Sequence, residues 1–255
     1  MAKPNSNRFQ LSGLAIRLAA LAALLLASAT TADAQNVTIG FGEGSGVTER
    51  AIQLIALVTI LSLAPSILIM VTSFTRIVVV LSLLRTAIGV QASPPNAVVV
   101  SLALFLTGFV MTPVFQKSYE AGVKPLIESQ IELPAAFEAA AQPFKTFMLA
   151  HVREKDLSLF MQMAEEDKIE KPTDVPLQVL VPAFMISELR RAFEIGFLLF
   201  VPFIVIDMVV ASVLMSMGMM MLPPIIISLP FKLIFFVLVD GWHLVAGSLV
   251  QSYGL

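Results

Sequence analysis

Apolar residues run almost unbroken through four stretches of the chain. The first covers residues 51–72 (AIQLIALVTILSLAPSILIMVT) and resumes as IVVVLSLL up to Leu84. The second covers 97–115 (AVVVSLALFLTGFVMTPVF), the third 195–214 and the fourth 225–250. A helix needs about 20 apolar residues to cross a bilayer, so the pattern predicts four apolar helical segments. Pro65 and Pro202 interrupt two of them. A proline frees a backbone carbonyl that lipid cannot satisfy, which predicts kinked segments packed against protein.

Between the second and third stretches, residues 116–181 turn polar, with seven Lys/Arg against eleven Asp/Glu. That length is more than a connecting loop needs and predicts a helical extracytoplasmic domain. Within it, Phe144, Phe147, Met148, Leu157, Phe160, Met161 and Ala164 recur at helical spacing. Arg153, Glu154, Lys155 and Asp156 read as a solvated face, because nothing apolar flanks the two carboxylates to raise a pKa for acid–base work. Pro172, Pro176 and Pro182 punctuate the return to the apolar part. The expected architecture is an all-α membrane protein. A first hairpin at 51–115 and a second at 182–255 flank the polar domain.

The N-terminus carries a different pattern. Lys3, Arg8 and Arg17 precede LAALAALLLASA (residues 18–29) and then Ala32-Asp33-Ala34. This is the basic region, short apolar run and small-x-small site of a secretory signal peptide, with cleavage expected between Ala34 and Gln35. Residues 35–50 then read as a flexible extracytoplasmic leader. Its GFGEGSG (40–46) lacks the preceding strand and the GK[ST] of a phosphate loop. An external N-terminus places Arg76 and Arg85, which have no acidic neighbour, on the cytoplasmic side, and both are expected among the buried or inter-subunit charges.

Composition agrees. Of the residues 57% are hydrophobic and 13% charged, and the mean hydropathy is +0.88. A net charge of −2 gives no basic excess for nucleic acid. There is no cysteine, which excludes disulfides and thiolate sites. His151 and His243 are far apart and lack metal-motif spacing, so no metal or cofactor is expected. No nucleophile–base pair or Walker loop points to an enzyme.

The apolar segments nevertheless hold Asp207, Lys232 and Asp240. A charge facing lipid costs several kcal/mol, so these side chains must face protein or water. Lys232 and Asp240 lie about 12 Å apart along one helix at 1.5 Å per residue, too far to pair, so their partners lie on another helix or another subunit. An ion-coupled transporter or proton channel using these residues is the alternative function, but no internal repeat supports it. In SELRRAFEIG, Glu188 with Arg191 and Arg190 with Glu194 have intrahelical spacing. Four charges beside an apolar segment are expected to bridge subunits.

Several of these stretches resemble one family. PAFMISELRRAFEIGF (182–197) and DMVVASVLMSMGMMMLPP (207–224) resemble the two signature regions of the FliP family of flagellar type III export proteins, whose virulence-system relatives are the SctR proteins. The similarity extends through LSLAP (61–65), TSFTRIVVVLSLLR (72–85), PPN (94–96), REKDLSLF (153–160) and SLPFKLIFFVLVDGW (228–242). The resemblance implies a non-enzymatic, pore-forming subunit of an export gate in the bacterial inner membrane, within the flagellar basal body and with a periplasmic domain. It implies association of five copies with FliQ-like and FliR-like membrane subunits and other export-apparatus proteins. The substrates in transit would be unfolded flagellar proteins, and some helices would lie above the bilayer.

MSMGMMMLPP (215–224) concentrates five of the thirteen methionines in seven positions. Methionine is unbranched, apolar and flexible, which suits a ring that closes against ions yet deforms around arbitrary side chains. Met217, Met219, Met220 and Met221 are the expected gasket, as the resemblance also implies. Gly218, Pro223 and Pro224 shape the loop by breaking the helix.

Overall fold

The computed structural model describes residues 47–90, 93–165, 174–219 and 221–254. The expected signal peptide, its junction at Ala34 and Gln35, and Met220 lie outside the described residues. Of the described residues, Val47–Ala56 fall to one unit and those from Leu57 onward to another. The packed cores lie within the second unit.

The described residues are helical, with no strand among them: α1 Val47–Val71, α2 Phe74–Ile88, α3 Asn96–Ser118, a π-helical turn Tyr119–Val123, α4 Lys124–Ile127, α5 Leu133–His151, α6 Glu154–Met163, α7 Leu177–Ser216, α8 Pro224–Leu238 and α9 Gly241–Gln251. Three candidate spans are long and apolar enough to cross a membrane: Leu54–Val71, Asn96–Ile127 and Leu177–Ser216. Helices α8 and α9, bent by 62° at their junction, pass the same length and hydropathy test when taken together. The all-α membrane architecture with four apolar segments is therefore present.

The centre of the fold is α2. Ile77, Val80, Leu81, Leu84, Ala87 and Ile88 recur at the three- and four-residue steps of one helix face and are buried. They pack against Val99 and Ala103 of α3, Ala192 and Phe203 of α7, Phe236 of α8, and Val245 and Leu249 of α9. Each fully buried leucine contributes about 1.5–3 kcal/mol. Gly196 lets α7 approach α2 closely, since a Cβ there would stand 3.3 Å from that of Leu83. Met148 of α5 joins Val179, Leu180 and Phe184 of α7 in a second cluster.

Element boundaries differ from the expected ones in a consistent way. The first apolar stretch breaks at Thr72-Ser73, not at Pro65, which lies inside α1. Both sides of that break then differ in fate: α1 is largely exposed from Leu57 to Met70, whereas α2 is the most enclosed helix. The fourth stretch breaks at Asp240, whose φ of +50° turns the chain between α8 and α9. The helix expected through residues 144–164 stops at Val152-Arg153, where the Arg153 N–H donates to Ser187 Oγ at 3.0 Å instead of continuing the helical ladder. In the other direction, α7 absorbs Pro182 and Pro202 and begins at Leu177. At 40 residues it is about 60 Å long at 1.5 Å per residue, twice the hydrocarbon thickness of about 30 Å.

Candidate functional site

The methionine cluster forms the turn of the α7–α8 hairpin. Helix α7 ends in a Schellman arrangement: the Gly218 N–H donates to Met215 O at 3.1 Å and the Met219 N–H to Leu214 O at 3.0 Å. That geometry requires a left-handed residue, and Gly218 supplies it at φ +73°. Pro223 is extended and Pro224 opens α8, where its missing N–H costs no hydrogen bond. Gly218, Pro223 and Pro224 all lie in this turn and act there through local chemistry. Met217, Met219 and Met221 project from it at 62%, 44% and 98% exposure.

About three helical turns back along α7, the hairpin is bolted by an ionic contact. Asp207 Oδ2 of α7 lies 2.7 Å from Lys232 Nζ of α8. Ser228 Oγ donates to Asp207 Oδ1 at 2.5 Å. Lys232 also points its ammonium at Ala87 O, 3.5 Å away at the end of α2, so the bolt reaches a third helix. Lys232 is buried and Asp207 half-buried. Asp207, Lys232 and Asp240 do not share one site: Asp240 is exposed at the α8–α9 bend.

Deeper in the body, Arg76 of α2 donates to Glu188 of α7 through Nε, at 2.9 Å, and through Nη2. Arg76, set by the sequence with Arg85 on the cytoplasmic side and among the buried or inter-subunit charges, is 1% exposed. The reason is this partner, which lets a guanidinium be buried with its charge matched. Tyr253, just past α9, completes the cluster: its hydroxyl donates to Glu188 Oε2 at 2.5 Å, and the Arg76 guanidinium lies 4.0 Å from its ring centre. Arg76 Nη1 also donates to Ser252 Oγ at 3.0 Å.

The remaining charges are placed separately. Arg85 Nη1 donates to Asn96 Oδ1 at 2.5 Å and to Pro94 O at 3.2 Å, tying the end of α2 to the start of α3. Arg190 and Glu194 pair along α7 at 2.8 Å on an exposed face. Glu188 turns to Arg76 instead of Arg191, which stands half-buried.

Asp156 corrects the solvated-face expectation. It is 7% exposed and accepts from Arg153 Nε and Nη2, both at 2.8 Å, and from Ser187 Oγ at 2.6 Å. Burial pushes its carboxyl up, but the hydrogen bonds of Ser187 and Arg153 outweigh that and hold it below the usual aspartate range. Ser187, Ser228, Ser252 and Tyr253 carry no signal in the sequence that singles them out. No local pattern could have found them, because their partners lie 21 to 176 residues away.

Comparison with known proteins bears on the whole body. The FliP family model matches residues 57–249. The flagellar biosynthetic protein FliP of Caulobacter vibrioides is 65% identical over 236 residues, covering 92% of this chain and 88% of that protein. The protein of the same name from Bacillus subtilis is 56% identical over 202 residues, 79% of this chain and 91% of that one. That of Aquifex aeolicus is 49% identical over 232 residues, 90% and 97% respectively.

Proposed function

The chain belongs to the FliP family, and from that premise we propose that it works in the flagellar export apparatus as the pore-forming subunit of the gate. Unfolded flagellar proteins would pass through that gate across the bacterial inner membrane. The observation that carries this reading is the methionine turn: a hairpin tip that presents Met217, Met219 and Met221 outward, held rigidly at its base by Asp207, Ser228 and Lys232. A soft apolar tip on a stiff stem is what a deformable seal needs. One tip cannot enclose an opening, so the proposal includes self-association, with five copies meeting at this turn beside FliQ-like and FliR-like subunits.

Two further features support it. Leu104, Phe105 and Phe109 of α3, Phe193, Phe197 and Leu198 of α7, and Ile226, Phe231 and Ile234 of α8 are large apolar side chains left exposed by this chain alone, a surface that other subunits or lipid must cover. The exposed Arg190–Glu194 pair sits among Phe193 and Phe197 on that surface. An ion pair is expensive in hydrocarbon, which favours protein contact there. The polar helices α5 and α6 would then face the periplasm. An ion-relay reading is weaker, because Asp207 and Lys232 neutralise each other.

The chain contains no cysteine, so Met221→Cys introduces a single reactive thiol at the tip. Mild oxidation of the assembled complex should give disulfide-linked dimers, the largest product that one thiol per chain allows. A chain that stays wholly monomeric under oxidation, while co-purifying with its partners, would exclude convergence of the tips.

A further inference from the structure

Tyr253 is the point at which the end of α9 is fastened to the body. The chain folds back after α9 through the N–H of Tyr253 to Val250 O at 3.1 Å and the N–H of Gly254 to Gln251 O at 2.9 Å. This delivers the tyrosine ring, 9% exposed, into a socket made by three other helices. Phe147 of α5 stacks on it with ring centres 5.9 Å apart, and the His151 ring lies 5.1 Å away. Arg76 of α2 covers a ring face, and Glu188 of α7 accepts the hydroxyl proton. Together with the Arg76 bond to Ser252, this contact supplies the polar tie between the end of α9 and the body.

His151 is the one group in that socket whose charge changes near neutral pH. Its Nδ1 lies 2.8 Å from Phe147 O, a carbonyl, so Nδ1 carries the proton and Nε2 is bare. Adding a proton at Nε2 would place a cation against the aromatic wall of Phe147 and Tyr253. The charged groups around it are Arg76 from α2 and Glu188 and Arg191 from α7, and the neutral Tyr253 phenol lies beside them. Arg153 and Asp156 at the start of α6 are paired with each other. Glu188 already accepts from Arg76 twice and from Tyr253, so a further cation finds its counter-charge taken. The arginine over Tyr253 already occupies a ring face that a histidinium could otherwise use.

We propose that Tyr253 is a latch holding the end of α9 to the body, and that protonation of His151 releases it. The direction follows from linkage. Burial above all, with Arg76 and Arg191 adding to it, lowers the proton affinity of His151 against the opposing pull of the Phe147 carbonyl and Glu188. With the latch open, the imidazole returns to its ordinary value of about 6.5. The open form therefore binds the proton better, so latching is complete above that value and weakens as pH falls below it. Tyr253 does not titrate in this window, because burial pushes its phenol upward. Asp156 stays ionised through it, because its carboxyl is held low. Acidification of the compartment that α5 and α6 face would thus loosen α9, and with it the far end of the helical run that begins at the methionine turn.

The test uses the full chain purified with its co-purifying partners. Gln251→Cys puts a single thiol at the exposed end of α9, and a nitroxide there reports mobility by electron paramagnetic resonance. The label should be immobile at pH 8 and gain a mobile component, reversibly, below about pH 6. In His151→Gln and in His151→Phe, which keeps an aromatic ring against Phe147 and Tyr253, it should stay immobile down to pH 5. Tyr253→Phe, with the histidine intact, loses the hydroxyl bond to Glu188 and should release at higher pH than the parent. A parent label unchanged between pH 8 and 5, a transition that survives in either histidine variant, or a Tyr253→Phe release no higher than the parent's would overturn the proposal.

Discussion

Arg76 and Glu188 are 112 residues apart in sequence and meet as a two-pronged ion pair with 1% and 0% side-chain exposure. Burying both charges costs desolvation, and only mutual contact plus the bonds to Ser252 and Tyr253 offsets it. Removing one partner leaves a naked buried charge. Glu188→Gln or Arg76→Met should each destabilise the body by about 3–5 kcal/mol. Arg76→Met combined with Glu188→Leu should cost clearly less than the sum of the singles. Thermal unfolding in detergent across the parent and these variants measures this, and strict additivity would mean that the two side chains do not act as a pair.

The Asp207–Lys232 bolt should behave similarly but more weakly, since Asp207 is 30% exposed and water can take up part of its charge. Lys232→Met should cost about 1–3 kcal/mol. The swapped pair Asp207→Lys with Lys232→Asp should recover part of that loss. Its readout is protease sensitivity of the α7–α8 hairpin, which should rise in the single variant and fall again in the swap.

How much of this was open to sequence reasoning depends on range. Gly218 and Pro223-Pro224 act through local chemistry, and their role in the turn can be read directly from the order of residues. The pairing of Glu188 cannot. Sequence exposes only partners three or four positions away, so Arg191 is the visible choice, while Arg76 needs α2 to be laid against α7. Proline misleads as punctuation for the same reason. Pro65, Pro182 and Pro202 lie inside helices, whereas the breaks fall at Thr72-Ser73 and Val152-Arg153, the second of them where a tertiary partner takes a backbone N–H. Asp156 looks solvated because the group that buries it, Ser187, is 31 residues away.

Asp156 gives a pH dependence of known sign. Its folded-state carboxyl is held below the usual value of about 3.9, so the stabilisation is present above that value and is lost as pH falls through the lowered one. Docking of α6 on α7 should therefore weaken only below about pH 4. Asp156→Asn should be less stable at pH 7 and should lose this acid limb. Hydrogen exchange in α6, corrected for intrinsic rates, reads the difference.

The α8–α9 bend rests on Asp240 and Gly241. Asp240 holds φ +50°, which glycine adopts freely and alanine does not. Asp240→Gly should be nearly neutral, and Asp240→Ala should cost roughly 1 kcal/mol. Gly241 faces Phe236, whose ring occupies the place a Cβ would take. Gly241→Ala should be the worst of the three, by about 1–3 kcal/mol, because that ring must move and it is packed against Phe203 and Trp242. Melting temperatures should rank the variants in that order.

The methionine turn allows the sealing and packing roles to be separated. Met221 is 98% exposed and Met219 44%, so neither contributes much to the stability of this chain on its own. Replacing Met219, Met220 and Met221 by alanine removes flexible apolar bulk from the tip but leaves Gly218, Pro223 and Pro224 to hold the turn and Asp207 and Lys232 to hold the stem. Assembly with partners should therefore be normal. Ion conductance through membranes carrying the assembled gate should rise in the absence of any exported protein, because narrower side chains leave a gap that water can enter. Both quantities must be measured on the same preparation. Poor assembly without leakage would identify the methionines as packing residues, and normal assembly with unchanged tightness would remove them from the seal altogether.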